Sequence, residues 1–472
     1  MKSITYSRKT ELFLECIFYI LVFGTIAVFA ILQPFGEPPD EINRYKVVQY
    51  ICVHGKLPVG SDPEISIGGY GASYAFQPIL SYIIMGWLMR PFFYFTQNFY
   101  ILSYIARFVN VIIGVLMAVY VRKLSKEVFD TPLLQWMFTL LIVFLPQNLF
   151  LHSYVNTDSM AALSTAIIIY ACIRGLKDNW SKRTSITLSI GIILCALSYY
   201  NAYSIILCSI LLFIFSFLHK ENGVFKVELK SLLQKGTFIS AIVLIGISWW
   251  FLRNAYLYNG DIIGMKARTQ CAIETCIPQL NPLTKETIQN TGHPVSYLFR
   301  ETLFLHSLYQ SFIATFGTMN IFTYPFVYTV YKIIFAASLF CLLLPPVSKS
   351  VTYLKTVPAS SRTFFNILMI FDMVIISSLC IWYSYSWDYQ PQGRYVLPLL
   401  IPLMYFISIG ISKLAAVLAA CFPFGRTIGI LVQWAVIGYI IFALVITMAG
   451  AVLPHYLATP NWLDGAIESL SN

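Results

Sequence analysis

Long apolar runs separated by short polar connections dominate the chain, and they read as spans near residues 12–33, 100–121, 132–150, 158–175, 184–200, 201–218, 236–252, 323–346, 363–386, 395–413 and 428–452. A hydrocarbon core of about 30 Å takes roughly 20 apolar residues to cross, and the crossings are helices because lipid offers open backbone groups no partners. The pattern predicts an all-α fold, a polytopic transmembrane helical bundle of about eleven spans. The apolar stretch 74–95 stays outside that set as a juxtamembrane or re-entrant segment. Counting it as a crossing would put Arg122, Lys123, Lys126, Arg174, Lys177, Lys182 and Arg183 on the outer side, against the positive-inside rule.

With that parity the short connections rich in Lys and Arg are cytoplasmic, the amino terminus is inside and the carboxyl terminus is outside. The chain reads as one transmembrane unit over 1–472, with long external loops at 34–99 and 253–322 and juxtamembrane helices in the first of them. The expected location is the plasma membrane. Residues 12–33 follow Lys2, Arg8 and Lys9 and outrun the roughly 7–15-residue core of a cleavable signal peptide, so they read as a retained signal anchor.

Composition agrees: 58% of residues are hydrophobic and 11% charged, against roughly 25% charged in soluble domains. The net charge of +10 does not point to nucleic acid, because the basic residues are scattered through loops instead of gathered on one face. No Gly-rich phosphate loop or dinucleotide fingerprint is present. The ten cysteines form no metal-ligand pattern, and Cys16, Cys172, Cys195, Cys208, Cys341 and Cys380 fall within apolar spans as small hydrophobes. Cys271 and Cys276 share a polar external loop, where their spacing permits a short-range disulfide.

Three polar groups sit at span ends. After the first span comes Gln33-Pro34-Phe35-Gly36-Glu37-Pro38-Pro39-Asp40-Glu41-Ile42-Asn43-Arg44, where two prolines stiffen the chain before adjacent carboxylates. The plain reading is a helix start with first-turn acids; the functional one is a catalytic carboxylate. The second group comprises Leu145-Pro146-Gln147-Asn148 and then His152 to Asp158, with Asp158 as a helix N-cap or as a second carboxylate that binds a cation or orients a substrate. The third, Trp387 to Pro398, packs aromatics, amides and Arg394 between two spans; Arg394 is either an interfacial anchor or a phosphate grip.

The order of Pro38-Pro39-Asp40-Glu41, Gln77-Pro78-Ile79-Leu80-Ser81-Tyr82, Arg107, Asn156-Thr157-Asp158 and Gln392-Gly393-Arg394-Tyr395 resembles the GT-C superfamily of membrane glycosyltransferases, nearest to the protein mannosyltransferase and aminoarabinose-transferase type. The resemblance covers the first 180 residues or so and the 387–400 region. It implies transfer of a sugar from a polyprenyl-phosphate carrier to a glycan, lipid or protein acceptor at the extracytoplasmic face. Asp40 would be the base, with Glu41 supporting it. Asp158 would match the second acidic position and, with Asp40, could hold a divalent cation such as Mg or Mn. Arg394 would lie near the lipid phosphate, and Arg44, Gln77, Arg107, Asn156, Gln392 and Tyr395 would contact the donor. Arg44 stands where some relatives carry histidine, and Gln77-Pro78 replaces a Lys/His-Pro-Pro element.

The chemistry is sensible on its own terms. A sugar leaving as a lipid phosphate needs a base for the incoming hydroxyl or amine and cations for the departing oxygens. One carboxylate suffices, because the phosphate needs no general acid, unlike the pair used by glycosidases. The alternative is a transporter or flippase of a lipid-linked saccharide, which would place its substrate residues near mid-membrane in two related halves. A third reading is a non-catalytic subunit that keeps the fold. Within the spans, Glu15, Lys332 and Asp372 are expected to face protein or water, and Lys332 and Asp372 lie at depths too different to pair directly.

Overall fold

The computed structural model describes residues 7–221, 224–344 and 353–458. It is an all-α bundle in which the apolar runs have become helices. Among the described residues, eight are long and apolar enough to cross a membrane. They contain α1 (Arg8–Leu32), α4 (Phe99–Val128), α7 (Asp158–Asp178), α10 (Leu229–Leu257), α14 (Pro325–Leu343), α15 (Ala359–Ser386), α16 (Leu400–Cys421, led by a 3-10 turn at Gly393–Leu399) and α17 (Gly425–Thr447, extended through α18 at Leu453–Ala458). The chain is a multi-pass membrane protein.

The other three expected spans are shorter helices. α8 (Lys182–Ala196) has 15 residues and α9 (Tyr203–Phe215) has 13. The run 132–150 is broken into α5 (Pro132–Val143) and α6 (Pro146–Leu151). Pro146 explains the break, since its ring has no N–H to give to a preceding turn and clashes with the carbonyl four residues back. The figure of about eleven therefore counts helices that include three too short, at ~1.5 Å per residue, for a ~30 Å core.

The stretch 74–95 forms a 3-10 turn, Tyr74–Phe76, and then α3 (Leu80–Phe93), which packs against α2 (Glu41–His54) and α4. Both α2 and α3 have 14 residues, too few to span. The second long connection carries α11 (Met265–Thr275), α12 (Tyr297–Arg300) and α13 (Phe304–Ile313). Two small antiparallel ribbons pair Leu218–Glu221 with Val224–Val227 and Thr315–Phe316 with Ile321–Phe322.

The centre of the bundle is α4, α7 and α16: α7 packs on α4 and α8, while α16 packs on α14 and α17. Of the charges within spans, Glu15 pairs with Arg122 at 2.8 Å and Lys126 at 2.7 Å. Asp372 is buried and accepts a hydrogen bond from Ser204 Oγ at 2.6 Å, whereas Lys332 lies exposed on α14. They do not pair. Cys271 and Cys276 are both free thiols, so the disulfide that their spacing permits is not formed.

Candidate active site at one end of the bundle

The chain leaves α1 through Pro34, Gly36, Pro38 and Pro39 and starts α2 at Asp40. Asp40 adopts a left-handed backbone, φ 65° and ψ 4°, and its side chain does not cap α2. Asp tolerates this region better than most residues, and held strain of this kind is common at functional sites. The carboxylate is thereby turned away from the helix it opens. Asp158 is likewise no cap: Thr157 precedes α7 without capping it, and Asn156 Oδ1 instead accepts the Ser159 N–H at 3.0 Å.

Both freed carboxylates meet arginines. Arg394 Nη2 donates to Asp40 Oδ2 at 2.6 Å, and its Nη1 to the Pro39 carbonyl at 3.3 Å. Arg44 Nη1 donates to Asp158 Oδ2 at 2.8 Å, and its Nη2 lies 3.8 Å from Asp40 Oδ2. The result is an alternating row, Arg394, Asp40, Arg44, Asp158, drawn from three parts of the sequence. Gly393 places Arg394, because a side chain there would run into the backbone of Phe312, and the Gly393 N–H donates to Ser311 Oγ at 2.6 Å.

Burial alone would raise the Asp40 carboxyl, but Arg394 and then Arg44 outweigh it and pull it down to about 2. The Tyr74 hydroxyl also hydrogen-bonds the Asp40 carboxylate, and the Asp40 side chain keeps 35% of its surface open. Tyr74, pushed up to about 12 by burial, stays a neutral phenol beside it.

Glu41 faces elsewhere. It is fully buried against Arg107, with Oε1 at 2.8 Å from Nε and Oε2 at 2.6 Å from Nη2. It also accepts the Gly36 and Val155 N–H groups, while Arg107 donates to the Ala30, Gln33 and Pro34 carbonyls. This pair fastens the end of α1, the start of α2, α4 and the turn before α7 into one unit. Breaking a buried pair on one side typically costs about 3–5 kcal/mol. Glu41→Gln is therefore expected to lower thermal stability in detergent sharply, whereas Asp40→Asn, at a half-open carboxylate, should leave the unfolding midpoint within a few degrees.

Asp40 lines two adjoining chambers. The larger, of about 420 Å³, is walled by Arg44, Tyr74, Gln77, Pro78, Tyr82, the turn Tyr199–Asn201, α11 residues Met265, Arg268 and Thr269, and α15 residues from Leu379 to Ser386. The smaller, of about 160 Å³, is more polar, with Asn43, Tyr70, Lys285, Asp388 and Gln390. Tyr74, Arg268, Thr269, Tyr383, Trp387 and Tyr395 border both. Aromatic walls with a few fixed polar groups suit a ligand that has both apolar faces and hydroxyls.

Of the residues singled out in the sequence, Asp40, Arg44, Gln77 and Tyr395 line the larger chamber, and Arg394 and Asp158 stand behind them. Arg107 and Asn156 do not reach it: both are buried and bonded to protein, Asn156 through the Leu151 and Tyr154 carbonyls. Gln392 donates to Gln390 Oε1 at 2.7 Å and lines neither chamber. Sequence reasoning missed Arg268. It is half-buried between the chambers, and its side chain makes no ion pair or hydrogen bond among the described residues.

No protein-family model and no curated protein matches the sequence. Among solved structures, the chain is similar to an oligosaccharyltransferase of Archaeoglobus fulgidus. In its complex with an inhibitory peptide and a dolichol-phosphate the identity is 14% and the TM-score 0.50, over 90% of this chain and 55% of that one. With a tethered acceptor peptide the figures are 13% and 0.51, over the same shares. An aminoarabinose transferase, ArnT of Cupriavidus metallidurans bound to undecaprenyl phosphate, aligns at 12% identity and TM-score 0.38 over 95% of this chain and 74% of that one. The fold is that of the GT-C membrane glycosyltransferases. The chain spans about half the length of the oligosaccharyltransferase it matches.

Proposed function

We propose that the protein is a glycosyltransferase that moves a hexosyl or pentosyl group from a polyprenyl-phosphate carrier to an acceptor at the extracytoplasmic face of the plasma membrane, with Asp40 as general base. One observation carries this reading: on a GT-C fold, an ionised and partly open carboxylate stands where two chambers adjoin. The larger chamber, with its wall from α15, takes the lipid-linked sugar; the smaller, polar one takes the acceptor.

In the step itself, the acceptor oxygen attacks the anomeric carbon, its proton passes to Asp40 Oδ1, and the bond from that carbon to the phosphate oxygen breaks. The electron pair leaves with the lipid phosphate. Arg44 and Arg394 are each already paired with a carboxylate, so Arg268, the unpaired cation of the chamber, receives the departing charge. A carboxyl held near 2 is a weak base. It serves because the transition state resembles an oxocarbenium ion, and the attacking hydroxyl becomes acidic only as it bonds to that carbon.

The depressed Asp40 carboxyl fixes a pH dependence. Its ordinary value is 3.8 and its value in the fold is about 2. The favourable contribution of its ion pairs is complete above the ordinary value and is lost only as pH falls through about 2. Transfer should therefore show no acid limb from this group above about pH 3. An acid limb near neutrality that disappears in Asp40→Asn would contradict the assignment.

The test of the function is a reconstituted assay with polyprenyl-phosphate sugar and glycan, lipid or protein acceptors. A new glycosidic bond is the expected result. Movement of the lipid-linked saccharide across liposomes with no bond formed would instead mark a transporter.

A further inference from the structure

Asp40 and Asp158 are the two carboxylates that the sequence offers as ligands for a divalent cation. The space between them is taken by Arg44, whose two terminal nitrogens face Asp158 Oδ2 at 2.8 Å and Asp40 Oδ2 at 3.8 Å. Asp40 Oδ2 is further occupied by Arg394 Nη2 at 2.6 Å. Arg44 is buried, and its guanidinium lies over the Tyr74 ring at 5.4 Å.

Magnesium or manganese takes about six oxygen ligands in an octahedral arrangement, of which one or two carboxylates usually come from the protein and the rest from water and substrate phosphate. Among the described residues no group of three His, Cys, Asp or Glu side chains is placed to hold a metal. Asp158 Oδ1 is the one oxygen of this acid that makes no protein hydrogen bond, and it supplies a single ligand. With the Arg44 guanidinium between them and Arg394 on Asp40 Oδ2, the two carboxylates do not converge on one ion.

We infer that Arg44 is the built-in cation of this site. It bridges the two aspartates where a divalent ion would, holds Asp40 in its aim at the chambers and offsets the charge of both carboxylates. A guanidinium suits the task because it is always charged and presents its donors in a fixed plane. The protein then acts without a bound metal, and Arg44 is a positioning residue that works through Asp40. The inference rests on the transferase reading for what Asp40 does, but the placement of the cation stands apart from it.

The test uses the full chain in lipid nanodiscs. Manganese titration followed by electron paramagnetic resonance is expected to show no stoichiometric signal in the wild type that is sensitive to Asp158→Asn. Exhaustive chelation with EDTA is expected to leave transfer unchanged. Arg44→Ala should lower transfer about 100-fold, and millimolar free guanidinium should return at least about tenfold of that, a rescue that a merely structural role would not give. An Asp158-dependent manganese signal in the wild type, a loss on chelation that manganese restores, or an Arg44→Ala protein as active as the wild type would each overturn the inference. The manganese measurement needs no substrate and, in the wild type, no altered fold. If no sample transfers sugar, the transferase reading fails while the metal titration still decides the role of Arg44.

Discussion

Asp40→Asn should reduce sugar transfer by about 10²- to 10⁴-fold, the range over which a positioned general base acts, while the protein stays folded and still binds the carrier lipid. Asparagine keeps the shape and still accepts a hydrogen bond from Arg394, so the row of charges is shortened by one member without being dismantled. The expected pattern is a fall in kcat with little change in KM for the donor. A mutant that retained full transfer would remove Asp40 from the chemistry, and with it the reading of both chambers.

Arg268→Ala carries the second large effect. Arg268 is the cavity cation whose charge is not already engaged by a carboxylate, so removing it should slow transfer about 10²- to 10³-fold, as loss of one preorganised donor at a developing charge does elsewhere. Binding of polyprenyl phosphate without a sugar should weaken too, because the free phosphate monoester carries more negative charge than the donor's diester linkage. Arg268→Lys should recover only part of the loss, since an ammonium cannot present two parallel donors. Unchanged affinity for the carrier phosphate in Arg268→Ala would move the phosphate to another part of the chamber.

The contrast between these two residues shows what a sequence displays and what it hides. Asp40, Asp158 and Arg394 are legible because each sits where an apolar run stops, and hydropathy alone fixes that height along the bundle. Their neighbourhood follows from the fact that helix ends at one level must meet. Arg268 lies in a long polar connection with no apolar landmark, so nothing in the pattern says that α11 folds back over the chamber. The partners of a charge are equally hidden. Glu41 stands next to Asp40 in sequence, yet one step around α2 turns it toward Arg107 and the interior, which makes it a fastener of the fold. Asn156 looks like part of the Asp158 motif and instead spends its side chain on the turn that starts α7. The break at Pro146 could be read from the residue itself; the runs 184–200 and 201–218 fell short of a crossing because the turn between them, and a second turn after Phe215, took residues that hydropathy had counted as helix.

The bond between Asp40 and Arg394 also says something about how the molecule is made. These residues are 354 positions apart in a chain of 472, so the first half of the pair emerges with the opening helix and waits while three quarters of the chain is made before its partner follows. Until α15 has been inserted and the turn at Gly393 has closed onto α13, that carboxylate has no Arg394 to hold it. A chain released before residue 394 would hold the Asp40 carboxylate without that partner, so this contact at the end of the bundle depends on most of the sequence having been made.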